Sequence, residues 1–233
     1  IMANLEFYKL VGIDGKIPLK FWGSLSTGSI FTITFLVQKN LIEERWYLLI
    51  FPIVLGTFFI KLYKKNEKKP FTNIAFILLG VLYIGVPFAL IHFLVYSDAV
   101  YDWRLLLGIL FITWASDTGA YFAGSRYGKR ALFARVSPKK SWEGSIGGTA
   151  FALLWALIMD YYIPTLDTWQ WLAVAAIVII AGTYGDLVES LFKRSIAIKD
   201  SGNVIPGHGG FLDRFDSLLI SLPFVVAFLE LVC

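Results

Sequence analysis

The sequence predicts an all-α, polytopic integral membrane protein with about seven transmembrane helices. Three observations predict it. Hydrophobic residues make up 57% of the chain and charged residues only 16%, against about 25% charged in soluble domains, and mean hydropathy is +0.68. Apolar stretches long enough to approach or cross a hydrocarbon core of about 30 Å recur along the whole chain. The 21 Lys and Arg residues fall almost entirely into alternate loops between those stretches.

In chain order the stretches are 18–37, 46–63, 71–97, 103–125, 144–163, 168–190 and 217–232. The first is the weakest. Ser24, Ser26, Thr27, Gly28 and Ser29 dilute it, so it either spans, lies at the interface or packs only against neighbours. The chain starts at Ile1, and Glu6-Phe7-Tyr8 reads as the tail of an earlier helix, so an N-terminal part is expected to be missing. Of the 21 basic residues, all but Lys39, Arg45 and Arg104 collect on one side. The positive-inside rule makes that side cytoplasmic, and adding or dropping an internal span would scramble the split. The expected organisation is N-terminal transmembrane helices over 1–100, then a catalytic transmembrane region over 101–233 with cytoplasmic loops at 125–143 and 190–216.

A net charge of +4 follows from this asymmetry and gives no ground for a nucleic-acid partner. Cys233 stands alone, and His92 and His208 are the only histidines. Neither a disulfide framework nor a zinc site of the usual type is expected.

Three polar constellations carry the candidate chemistry. The first is Asp117, flanked by Ser116, Thr118, Gly119 and Tyr121 inside a span. An ionisable residue there is either a polar contact paired with a cation or part of a water-filled cavity wall. The second is Ser137-Pro138-Lys139-Lys140-Ser141-Trp142-Glu143-Gly144. It reads as a helix start with Ser137 as N-cap and Pro138 in the first helical position. Its lysines serve either lipid headgroups or, with the helix N-terminus, a phosphate.

The third lies at the end of the sixth stretch. Asp186, Glu189, Ser190 and Lys193 fall at i, i+3, i+4 and i+7, on one helical face. Beyond a loop, Asp213 and Asp216 flank Arg214 as the last stretch begins. These carboxylates suit Mg²⁺ with substrate phosphate completing its coordination. Lys193, Arg194, Lys199 and Arg214 suit the phosphates themselves. Pro206-Gly207-His208-Gly209-Gly210 reads as a tight loop that could approach a polyphosphate. The alternative is a set of mutual salt bridges joining two helices.

From Ser190 to Asp216 the sequence resembles the phosphatidate cytidylyltransferase family, also called CDP-diacylglycerol synthases. It meets every position of the pattern Ser-x-apolar-Lys-Arg, four residues, Lys-Asp-x-small, two residues, apolar-(Pro or Gly)-x-His-Gly-Gly-apolar-x-Asp-Arg-apolar-Asp. The likeness extends less sharply upstream through Gly185-Asp186, the 137–144 segment and the Asp117 span. The resemblance implies transfer of CMP from CTP to phosphatidate, giving CDP-diacylglycerol and pyrophosphate, in phospholipid biosynthesis at the cell membrane. It also implies Mg²⁺, a second, monovalent cation, and a homodimer.

On that resemblance Asp186 and Asp213 are metal carboxylates supported by Asp216 and Glu189, and Lys193 and Arg214 act beside them at the reacting phosphates. Ser137, Lys139, Lys140, Ser141, Arg194, Lys199, His208, Gly209, Gly210 and Asp117 contact substrate. Two rivals differ in chemistry. A CTP-dependent polyprenol or phytol kinase would release CDP, and a transporter would use Asp117, Asp186 and Asp213 as a pathway.

Overall fold

The computed structural model describes residues 1–12, 20–65, 67, 69–198, 201–202 and 209–232. It is 78% helical, and the only strands among the described residues form two short hairpins. The chain divides into two compact units, Ile1–Tyr101 with Ile196–Phe215, and Asp102–Ser195 with Asp216–Cys233.

The first unit contains α1 (Met2–Val11), α2 (Lys20–Gln38), α3 (Ile50–Tyr63), α4 (Pro70–Gly80) and α5 (Val86–Val95). A 3₁₀ turn at Glu44–Leu49 leads into α3, and a π turn at Val81–Gly85 joins α4 to α5. Pro87 explains the π turn. A proline inside a helix has no N–H to give the preceding turn, and a local change of winding absorbs the defect. Helix α5 runs into an antiparallel hairpin, β1 (Tyr96–Ser97) with β2 (Val100–Tyr101). Asp98 and Ala99 turn it with φ of 50° and 64°.

The Glu6 segment is helical and belongs to α1, which precedes the first apolar stretch. Polar side chains of α1 are buried and bonded: Asn4 donates to Thr27 Oγ1 at 2.6 Å, and the Tyr8 hydroxyl donates to the Ile77 carbonyl at 2.9 Å. Gly23 and Gly80 make room for the Tyr8 ring; a Cβ on Gly23 would lie 2.2 Å from its hydroxyl. This accounts for the polar character of α2, whose Ser26, Thr27 and Thr34 are buried within the unit.

At the α3–α4 connection, buried Lys61 pairs with Glu67 at 2.5 Å, and Asn73 donates to the same carboxylate. Burial pushes the Glu67 carboxyl up, but the bonds from Lys61 and Asn73 with the charges of Lys61 and Lys64 outweigh it and hold it below the usual range.

The second unit contains α6 (Arg104–Tyr127), α7 (Trp142–Tyr162), α8 (Thr168–Ser195) and α9 (Asp216–Val232). Between α6 and α7 sits an antiparallel hairpin of β3 (Ala131–Phe133) and β4 (Ser137–Ser141), pairing Ala131 with Ser141 and Phe133 with Ser137. Small residues set the helix spacing. A Cβ on Gly147 would lie 2.2 Å from the Ala123 Cβ, one on Gly148 2.7 Å from the Ser116 carbonyl, and one on Gly119 2.8 Å from the Gly147 carbonyl. The Gly144–Gly148 run therefore joins α7 to α6 within the subunit. Gly185 does the same between α8 and α9, where a Cβ would lie 2.6 Å from the Asp216 carbonyl.

Each of the seven apolar stretches is mostly helical over its described residues, with Tyr96–Ser97 at the end of the third in β1, and the count of seven spans is not confirmed. Among the described residues, five helices are long and apolar enough to cross a membrane: Glu44–Tyr63, Pro70–Val95, Arg104–Tyr127, Trp142–Tyr162 and Thr168–Ser195. Helix α2 is diluted by the hydroxyls it buries, and 17 residues of α9 are described. The expected loop at 190–216 also begins later, because α8 continues to Ser195.

Candidate active site

The second unit encloses a cavity of about 350 Å³. Helix α6 contributes Thr113, Ser116, Asp117, Tyr121 and Gly124 to its wall, α7 Gly144, Ser145 and Gly148, and α8 Val178, Ile179, Gly182, Thr183 and Asp186. Lys139, Lys140 and Ser141 come from β4, and Ser217 from the first turn of α9. The glycine contacts between α6 and α7 bring the two polar helix faces to one wall.

Asp186 is the charged centre of this wall. Its carboxylate pairs with the Lys140 ammonium and accepts the Ser190 hydroxyl at 3.2 Å, one turn further along α8. The Lys140 and Asp186 side chains are 31% and 29% exposed. A pair this open to water adds little stability, about 1 kcal/mol or less, so its partners exchange at small cost. Asp117 feels the charges of Lys140 and Asp186, and Asp216 those of Asp186, Lys193 and Asp117. The Asp216 carboxylate also accepts the N–H of Ser217 at 2.6 Å.

Local hydrogen bonds fix the hairpin that carries the lysines. Glu143 accepts the backbone N–H groups of Lys129 and Arg130 at 3.0 and 3.2 Å, and the Trp142 N–H donates to the Arg130 carbonyl at 3.0 Å. Ser141, not Ser137, is the N-cap of α7, because its hydroxyl accepts the Gly144 N–H at 3.1 Å. Ser137 and Pro138 belong to β4. With N–H groups of the first turn so engaged, the pull on an anion comes from Lys139 and Lys140 rather than from a bare helix end. Glu143→Ala is therefore expected to speed amide hydrogen exchange at Lys129 and Arg130, while exchange along α8 stays unchanged.

Three more candidates sit on α8. Glu189 is wholly buried and pairs with Lys193 at 3.2 Å. Arg194 is exposed in the last turn. Gly209, Gly210, Asp213 and Arg214 belong to the first unit. Gly209 adopts a φ of +83°, which favours glycine, beside Gly210. Asp213 and Arg214 lie in a 3₁₀ turn at Leu212–Arg214. Asp213 Oδ2 accepts the Ser201 N–H at 2.8 Å, the Ser201 hydroxyl at 2.9 Å and the Gly210 N–H at 3.0 Å. Lys199 and His208 lie outside the described residues.

Of the residues singled out from sequence, the cavity thus brings together Asp117, Lys139, Lys140, Ser141 and Asp186. Thr183 and Ser217 were missed there. Thr183 stands three residues before Asp186, and extending the i, i+3 pattern backward along α8 would have found it.

Apolar helices long enough to span, with a cavity whose wall runs from aliphatic to charged, define a polytopic helical membrane protein with a mixed-charge cavity. The chain matches the cytidylyltransferase family over residues 1–232 and belongs to it. It is 42% identical over 154 residues to proteins named phosphatidate cytidylyltransferase from Staphylococcus haemolyticus and Staphylococcus aureus, and 41% identical to that of Staphylococcus epidermidis. Each alignment covers 66% of this chain and 58% of the relative, so the chain spans less than two thirds of the relatives it matches.

Proposed function

We propose that the protein transfers the CMP group of CTP to phosphatidate, releasing pyrophosphate and leaving CDP-diacylglycerol in the membrane. The observation that carries this reading is the placement of Asp186, Asp117, Lys139 and Lys140 around one cavity in a bundle of apolar helices. Family membership and the names of the relatives support it. They do not favour a kinase or a transporter.

In this reading an oxygen of the phosphatidate monoester attacks the α-phosphorus of CTP. A new P–O bond forms, the bond from the α-phosphorus to the α–β bridging oxygen breaks, and pyrophosphate departs with that oxygen. A phosphate monoester has a second pKa of about 6, so the nucleophile is already ionised and needs no general base. The obstacle is repulsion between about five or six negative charges. Lys139 and Lys140 counter it from the hairpin, and Lys193, Arg194 and Arg214 are further cations proposed for the phosphates.

Among the described residues no three His, Cys, Asp or Glu side chains converge as a closed metal cage. Mg²⁺ requires none, since it is commonly held by one or two carboxylates and substrate phosphate. Asp186 fits as a hard-oxygen ligand, with Asp117 and Asp216 near enough to feel its charge. Asp213 keeps the ligand role that the resemblance implies, as a proposal. The ion would neutralise charge developing on the transferred phosphoryl group. The monovalent cation and the homodimer are likewise proposals drawn from the family.

The excess of basic residues in alternate loops supports a reading in which the Lys139–Lys140 hairpin faces the cytoplasm, where CTP would be available and phosphatidate would arrive from the leaflet. Lys140→Met is expected to raise KM for CTP about tenfold, the worth of one charged contact to phosphate. The test of the function is incubation of the detergent-purified protein with phosphatidate, Mg²⁺ and CTP labelled in the cytidine. Label in lipid with equimolar pyrophosphate supports the reading; labelled CDP with no labelled lipid contradicts it.

A further inference from the structure

We propose that Glu6, outside the signature and about two hundred residues before it, is the positioning residue that holds the signature loop and so fixes Asp213. This rests on the proposed function only for its effect on the reaction; the tether itself stands on geometry within the first unit. Glu6 is 7% exposed, in the middle of α1. One carboxylate oxygen accepts the Phe211 N–H at 2.9 Å, and the other accepts the Leu212 N–H at 2.8 Å. The Ser201 hydroxyl lies 3.4 Å from the second oxygen and 2.9 Å from Asp213 Oδ2.

A buried carboxylate is costly unless donors surround it, and here the donors are the backbone at the head of the 3₁₀ turn that carries Asp213. Such charge-assisted bonds are about twice as strong as neutral ones. The signature's glycines are shaped around this arrangement. A Cβ on Gly202 would lie 2.8 Å from Glu6 Oε1, and one on Gly210 would lie 1.9 Å from the Ser201 Oγ and 3.0 Å from Glu6 Oε2. Side chains at either position would push the loop off Glu6. Glu6 thus pins the Phe211 and Leu212 amides at the head of the turn, while the single proton of the Ser201 hydroxyl goes to Asp213 at 2.9 Å, so the carboxylate on α1 sets the position of the turn from which Asp213 projects.

Residues that orient metal-binding or reacting carboxylates typically govern about ten- to a hundredfold in activity. Glu6→Ala is therefore expected to lower kcat by that factor, with KM for CTP within about twofold of wild type, because Glu6 acts through Asp213 rather than on the nucleotide. Glu6→Gln keeps the side-chain volume and one acceptor oxygen, and is expected to restore most of the lost kcat.

The deciding measurement needs no activity. Amide hydrogen exchange on the full-length protein in detergent is expected to speed up at Phe211 and Leu212 in Glu6→Ala, with α6 through α8 unchanged. Unchanged exchange at both amides in the folded variant, or unchanged kcat, overturns the proposal. If Glu6→Ala does not fold, Glu6→Gln decides alone: faster exchange at either amide supports the tether, and wild-type exchange at both overturns it. Faster exchange in a protein whose wild type transfers no CMP supports the tether and removes the proposed function instead.

Discussion

Asp186→Asn is expected to lower cytidylyl transfer about a thousandfold without unfolding the protein. The substitution keeps the volume of the side chain and an acceptor for the Ser190 hydroxyl. It removes the negative charge that Lys140 pairs with and that a divalent cation would bind. Electrophilic stabilisation by a bound metal is worth several kcal/mol, and about 4 kcal/mol corresponds to a factor of about a thousand in rate. Initial rates of pyrophosphate release measure the loss. Asp160→Asn is the control, since Asp160 lies near the other end of α7, accepts the Thr168 hydroxyl at 2.8 Å and should leave the rate unchanged. Equal losses in both variants would mean that the effect is general and not located in the cavity.

The second large effect is on the bundle itself. Gly147→Val is expected to destabilise the protein by about 3 kcal/mol, at the upper end of ordinary overpacking costs. No rotamer relieves it, because the clash begins at the Cβ, 2.2 Å from the Ala123 Cβ and 3.0 Å from the Gly119 carbonyl. Helices α6 and α7 would have to separate, and Asp117 would move away from Lys140 as they did. The melting temperature in detergent should fall clearly for Gly147→Val. It should hold for Ile146→Val, whose side chain is 68% exposed on the same helix. Equal melting of the two variants would show that α6 and α7 do not depend on this contact.

The apolar stretches were legible because hydrophobicity and helical length report directly on burial in lipid, and their described residues are mostly helical. Crossing was less legible. The hydroxyls of α2 lower its hydropathy, and only the fold shows that Thr27 and Ser26 have partners in α1 and in α2's own preceding turn. In the site, Asp117 and Asp186 could be named from sequence because a charge in an apolar helix demands a reason, and Lys140 because two lysines precede a helix start. Their convergence depended on the glycine contacts between α6 and α7 and on the packing of α8 against both, which no local pattern reports.

The α7 cap was misplaced because Ser137-Pro138 is as good a local start signal as Ser141. Only the pairing of β3 with β4 takes residues 137–141 out of the helix. Glu6 was missed for a different reason. A single acid in Met2–Val11 carries no spacing signal, and its partners lie about two hundred residues away.

The central claim is that CMP is transferred at the Asp186–Lys140 cavity. It is tested most directly by following α-³²P- and γ-³²P-CTP in parallel with phosphatidate and Mg²⁺, for wild type and Asp186→Asn. The account predicts that α-label enters lipid and γ-label leaves as pyrophosphate, and that both are lost in the variant. Entry of γ-label into lipid, or a variant that transfers α-label at the wild-type rate, would contradict it.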